Sequence, residues 1–222
     1  MKLLLALAML AAAPAIAQTQ YADSSGGFVA LNGVSVQNLE TFRFDATVGR
    51  RLGNGLDAGL RIGVRQGEYS QASQSGFTVG PVAGLARKLG HGLSGRIEGS
   101  ILYISVTTDY PPSSDRLSRQ ELTQDLTVTV SRPVHVFGSI RIRPTVGGYA
   151  TATQQLAAEV PEGVSLGNPG RGLLGGLHLE FLVVFRLLGK DAAFTPVSRI
   201  DLRNGDDGTS ALYSGGGLRL NL

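Results

Sequence analysis

Residues Thr41–Val64 read TFRFDATVGRRLGNGLDAGLRIGV. Phe42, Phe44, Ala46 and Val48 alternate with Arg43, Asp45, Thr47 and Gly49. After Gly53-Asn54-Gly55, Leu56, Ala58, Leu60, Ile62 and Val64 alternate with Asp57, Gly59, Arg61, Gly63 and Arg65. Side chains on a strand point to opposite faces with period two. The stretch is therefore a β-hairpin with one wholly apolar face and one face of Arg, Asp, Thr and Gly.

The same alternation recurs along the chain and predicts ten strands. They span Phe28–Val36, Glu40–Leu52, Leu56–Gln66, Phe77–Leu89, Leu93–Val106, Gln120–Val130, Val134–Tyr149, Leu173–Leu187, Ala192–Arg203 and Thr209–Leu222. The first is weakest, because its alternation slips at Asn32-Gly33. A repeated apolar face fits a surface turned to lipid, with the polar face turned to a lumen. The fold class read from this pattern is all-β: a closed antiparallel up-and-down transmembrane barrel of about ten strands, with eight as the alternative.

Short connections alternate with longer ones. Tight turns are expected at Gly53-Asn54-Gly55, Gly90-His91-Gly92, Ser131-Arg132-Pro133 and Leu188–Asp191. Longer loops are expected at Gly67–Gly76, Thr107–Arg119, Ala150–Gly172 and Asn204–Gly208, with one helical turn over Leu156–Val160. Short periplasmic turns and longer extracellular loops are the pattern of outer-membrane barrels. Both termini then lie on the periplasmic side, which makes the strand number even and requires the weak first strand.

Residues 1–17 read as a secretory signal peptide: Lys2, an apolar run from Leu3 to Ala13, and a small-x-small site at Ala15-Ile16-Ala17. The run falls short of the about 20 residues a membrane helix needs. Residues 18–222 are expected to form a single barrel domain. The chain has no cysteine, so the exported protein is expected to lack disulfides and a lipidated cysteine anchor. Net charge is +3, but the arginines are interspersed with acids inside strands. That pattern, with export, argues against a nucleic-acid partner.

On these features the chain resembles small bacterial outer-membrane β-barrel proteins of the porin-like and OmpA-type class. The likeness covers Phe28–Leu222 and rests on pattern. It implies a bacterial outer-membrane location. It also implies outer-membrane lipids as partners, together with periplasmic chaperones and the barrel-assembly machinery during biogenesis. Two features depart from the class. The last strand keeps its alternation through Leu218, Leu220 and Leu222 but ends in Leu rather than an aromatic residue. The aromatic girdle is thin: without Trp it must draw on Phe42, Phe44, Phe77, Tyr103, Tyr149, Phe181, Phe185, Phe194 and Tyr213.

The polar phase holds the chemistry. Its charged set is Arg43, Asp45, Asp57, Arg61, Arg65, Arg96, Glu98, Glu121, Asp125, Arg141, Arg143, His178, Glu180, Arg199, Asp201, Arg203 and Arg219, with Arg51 and Arg186 on the same phase. An unpaired charge in a low-dielectric wall costs several kcal/mol, so these groups must pair or meet water. A filled, cross-linked lumen is expected in preference to an anion-preferring water path, because small barrels are filled by their own side chains.

No catalytic residue is assigned. His178 and Glu180 share a face and could act as base and orienter, but no nucleophile motif accompanies them. His91 and His135 read as turn and near-turn residues. No cysteine or clustered histidine points to a metal, and no cofactor is expected. Asn204–Gly208 is acidic but lacks the later Glu of a calcium loop. Arg50, Arg51, Arg87, Lys88, Arg132 and Lys190 flank the short turns and are expected to face anionic headgroups. The expected function is a non-enzymatic outer-membrane barrel with a structural, surface-interaction or narrow porin-like role. The alternatives are an outer-membrane lipid- or peptide-hydrolysing enzyme, and a soluble lipocalin-like carrier with the apolar face inward.

Overall fold

The computed structural model describes residues 26–36, 41–69, 72–110, 115–137, 140–160, 172–187, 190–202 and 211–222. The expected signal peptide, Arg203 and the Asn204–Gly208 segment lie outside them. The strands are β1 (Gly26–Val36), β2 (Thr41–Gly53), β3 (Leu56–Tyr69), β4 (Ala72–Gly90), β5 (Leu93–Tyr110) and β6 (Asp115–Ser131). They continue as β7 (Val134–Phe137), β8 (Ile140–Glu159), β9 (Gly172–Leu187), β10 (Lys190–Leu202) and β11 (Ala211–Asn221).

Each strand pairs antiparallel with its sequence neighbour except where β6 pairs directly with β8. Pairing of β1 with β11 closes the sheet. The four-residue β7 pairs only with β8, so eleven strands make a ten-stranded barrel. Full closure removes the exposed edges that an open sheet would present.

The stagger of the barrel follows from its register. From Leu31 one path runs through Ala46, Ile62, Val79, Tyr103 and Leu122 to Gln154 on β8. The opposite path runs through Leu218, Phe194 and Val183 to Ile142 on the same strand. Gln154 minus Ile142 gives a shear of 12 residues. Such a stagger tilts strands by roughly 35–45° and fixes the lumen width.

Two turns use the same backbone solution. Gly53, Asn54 and Gly55 have φ of 89°, 49° and 76°, and Gly90, His91 and Gly92 have 91°, 49° and 75°. Two left-handed residues make a type I′ hairpin turn, and the preceding glycine forms a bulge that shifts the register. His91 therefore sits in a conformation that costs a branched residue roughly 1–2 kcal/mol.

Three local expectations are corrected. The expected strand Val134–Tyr149 is two elements, because β7 folds back on the start of β8 through His135↔Arg141. Gly138-Ser139 between two strand-like runs carries that hairpin signal. The expected loops Gly67–Gly76 and Thr107–Arg119 are largely strand: β3 and β4 are two residues apart, and β5 and β6 four. Leu156–Glu159 is strand rather than a helical turn. Apolar alternation stops above the belt, but the Ser-, Thr- and Gln-rich sequence continues to pair, since paired strands satisfy their own backbone groups.

The apolar phase faces outward. Leu60 is 51% exposed, Ile101 50% and Phe181 59%, with Phe42, Phe44, Ile62, Val64, Phe77, Ile97 and Leu179 also exposed. Phe77 and Tyr103 contact each other at 5.8 Å between ring centroids. This orientation overturns the lipocalin-like alternative, which required these residues inside. Tyr149, expected in the girdle, is instead buried in the lumen phase of β8, two positions from buried Thr151.

Leu60→Arg places a cation mid-strand on the outward face. In urea titrations of the barrel in lipid vesicles it should cost about 2–4 kcal/mol, whereas a water-facing position would tolerate it. His91→Val should destabilise by about 1–2 kcal/mol in the same assay while His91→Asn should not, because Asn adopts the left-handed region readily.

Candidate functional site

The lumen phase forms the candidate site. Arg96 on β5 is its centre. Its guanidinium donates to both oxygens of Asp57 on β3, at 3.5 and 3.3 Å. Its Nε donates to Glu98 Oε2 at 3.2 Å, and Nη2 donates to the same oxygen. Arg61 Nη2 approaches the other Glu98 oxygen at 3.6 Å. All four side chains are buried. The fork of a guanidinium suits this bidentate arrangement, which a lysine could not reproduce.

Register explains the cluster. Asp57 and Glu98 both lie opposite Gly84 on the intervening strand β4. A Cβ at Gly84 would lie 2.0 Å from Arg96 Nη2. The glycine thus leaves the path by which Arg96 crosses β4 to Asp57. Gly63 and Gly217 play the same part for Asp45 and Asn32, whose side-chain oxygens would lie 2.0 and 2.4 Å from an added Cβ. Small residues facing large ones are how a narrow barrel interior packs.

Arg219 and Arg51 neighbour this cluster electrostatically and are both buried. Arg219 stacks over Phe28 at 3.9 Å from the ring centroid and donates from Nε to Asn221 at 2.9 Å. Arg51, expected both on the polar phase and beside a short turn, is buried, while Arg50, Arg87, Lys88 and Arg132 are exposed at the short-turn end and the side chain of Lys190 lies outside the described residues.

Nearer the loop end, Arg43 pairs with Asp45 at 2.7 Å and Arg119 with Glu121 at 2.8 Å. Asp125 accepts from Ser100 Oγ at 3.2 Å and from Thr151 Oγ1 at 2.6 Å. Arg65 is half-buried. On β9, His178 and Glu180 are buried with Nε2 and Oε2 3.5 Å apart. Among the described residues neither ring nitrogen has a hydrogen-bond partner. Arg143 is half-buried, and Arg141 is exposed where β8 meets β7. Arg199 and Asp201 lie on β10, but their side chains, like that of Arg186, fall outside the described residues.

The charges therefore gather into separate groups rather than one ladder, with apolar packing between. Leu102, Ile104 and Val106 fill one part of the lumen and Leu182, Val184 and Ala193 another. Sequence reasoning missed the first set because Ile101–Ile104 is apolar on both phases. It also placed Arg119 in a loop, although it sits on the lumen phase of β6 two residues before Glu121. Among the described residues no group of three or more His, Asp or Glu is placed to hold a metal ion.

Every barrel strand contributes a buried lumen side chain: Asn32, Asp45, Arg61, Val82, Leu102, Thr127, Tyr149, His178, Ala193 and Arg219 in strand order.

The sequence matches no protein-family model and no curated protein. The structure is similar to the translocator domain of the autotransporter NalP from Neisseria meningitidis, with a TM-score of 0.62 and 11% identity over 91% of each chain. It also aligns with the β domain of the Bordetella autotransporter BrkA, with a TM-score of 0.49 and 12% identity, covering 90% of this chain and all of that one. A third match is the NanC porin, with a TM-score of 0.39 and 10% identity, covering 87% of this chain and 100% of that one. At these identities the NalP likeness establishes the fold, that of the outer-membrane β-barrels.

Removing Arg96 takes the shared guanidinium from two buried carboxylates, leaving Glu98 with the longer contact to Arg61. Arg96→Met should cost about 3–5 kcal/mol in equilibrium unfolding of the folded barrel. Arg116→Met, which breaks the exposed 3.5 Å pair with Asp109, should change stability by less than about 1 kcal/mol.

Proposed function

We propose that the protein is an integral, non-enzymatic barrel of a bacterial outer membrane with a closed lumen, serving a structural and surface-interaction role. The observation that carries this reading is the pairing of an exposed apolar belt with a lumen phase buried on all ten strands. The NalP likeness supports the same kind of barrel. Apolar surface on this scale needs lipid around it, and buried ion pairs of this geometry hold strands in register.

Two consequences extend the reading. Strands β4, β5, β6 and β8, of 17 to 20 residues, exceed the about 9–11 that cross a bilayer. The excess forms a paired rim above the belt at the loop end, carrying polar side chains such as Ser73, Gln74, Thr107, Thr108 and Gln120. That rim is where a surface partner would meet the protein. At the other end the exposed Arg50, Arg87, Lys88 and Arg132 are positioned to meet anionic phospholipid headgroups. The last strand, ending in alternating Leu218, Leu220 and Leu222, is the segment offered to the assembly machinery.

The porin-like and hydrolytic readings are disfavoured by the same packing. A pore needs lumen side chains in contact with water, and a hydrolase needs its base exposed to substrate. His178, which an enzyme would need as base, is fully buried beside Glu180.

Reconstitution into planar bilayers tests the closed lumen. The barrel should give no steady conductance, while Arg96→Ala, which empties the centre of the charge cluster, should allow ionic leakage. Steady anion-selective current through the unmodified protein would favour the porin-like reading.

A further inference from the structure

Arg43 and Arg65 are directly opposite cross-strand partners on β2 and β3. Like charges in that position repel, because directly opposed Cβ atoms are only about 4.5–5.5 Å apart. One carboxylate serves the pair: Asp45 binds Arg43 at 2.7 Å. Of the other carboxylates of the region, Glu121 pairs with Arg119, and Asp125 accepts from the neutral hydroxyls of Ser100 and Thr151 while acting on Arg43 at longer range. The partner of Arg65 on its other side is Gly76, which offers no acid. Among the described residues Arg65 makes no ion pair. Its electrostatic surroundings hold Arg43 and Arg119 against Glu121 and Asp45, and Asp125 acts on Arg43.

These groups sit on the lumen phase toward the loop end. The side chain of Arg43 is 24% exposed and Arg65 is half-buried, whereas Asp45 is buried. The two arginine side chains are thus partly open to water, and the carboxylate between them and the interior is not.

We propose that Arg43 and Arg65 form an anion-binding subsite for an oxyanion group, phosphate or carboxylate, carried by a soluble molecule entering from the loop end. Guanidinium groups on directly opposite residues can both donate N–H bonds to such a group. The anion offsets their mutual repulsion and supplies the counter-charge Arg65 lacks. Because both side chains are on the lumen phase, bilayer headgroups do not reach them. The subsite rests on that lumen-facing placement and not on whether the lumen conducts, so current in the bilayer experiment leaves it standing.

The test is calorimetric titration of inorganic phosphate, and of acetate in parallel, into the full chain folded in phosphate-free detergent at constant ionic strength set by chloride. Saturable binding is expected. Arg65→Gln and Arg43→Gln should each weaken it about tenfold or more, the loss of a charge-assisted bond. Asp45→Asn should tighten it by removing the competing carboxylate, and Arg87→Gln, on the outer face near the short turns, should leave it unchanged. The shift in gel mobility on heating confirms that each variant is folded. As a second reading, phosphate should raise the thermal midpoint of the unmodified barrel and not that of Arg65→Gln. Absence of saturable binding to the unmodified protein would overturn the proposal, as would equal affinity in the folded Arg65→Gln variant.

Discussion

Ten strands closed with a stagger of twelve residues leave an interior about as wide as the side chains that line it. A charge in so narrow a space has no bulk water to fall back on, and the remaining features follow from that constraint. Arg96 reaches Asp57 across a strand only because Gly84 lies between them. Asp45 and Asn32 lie over Gly63 and Gly217 for the same reason. The abundant glycine and the buried arginines are two halves of one packing solution. One side supplies long guanidinium groups with several donors, and the other supplies the space they cross.

The same constraint divides the lumen along its length. The Asp57–Arg61–Arg96–Glu98 cluster stays paired because its charges are sealed from solvent. Leu102, Ile104 and Val106 extend the packing up β5. Arg43 and Arg65 sit where the seal ends, so their charges are partly wetted. The sealed cluster and the partly wetted arginines are therefore two ends of one gradient in packing.

The belt and most of the lumen phase were legible in the sequence, because period-two alternation in Thr41–Val64 and its repeats encodes facing directly. Parity alone puts Arg43, Asp57, Arg61, Arg96, Glu98 and Arg219 on the polar phase, and all but the half-buried Arg43 are buried. Which charge meets which was not legible, since cross-strand partners depend on a register that the turns set. The bulges at Gly53 and Gly90 fix it, and a one-residue slip would have reversed every facing. Strand ends were the least legible part. Once Ser, Thr and Gln replaced apolar residues above the belt, alternation lost its contrast and paired strand read as loop. The run Ile101–Ile104 was ambiguous for the opposite reason, being apolar on both phases.

That run also offers the most direct test of which phase faces lipid. A photoactivated carbene probe carried in the acyl chains would label native side chains of the barrel in vesicles, read residue by residue by mass spectrometry. Insertion is expected at Ile101 and Tyr103 and none at Leu102 and Ile104, four neighbouring residues that differ in facing, with Ile101 and Leu102 matched in hydrophobicity. Equal labelling of all four, or labelling of Leu102 and Ile104 instead, would contradict that facing.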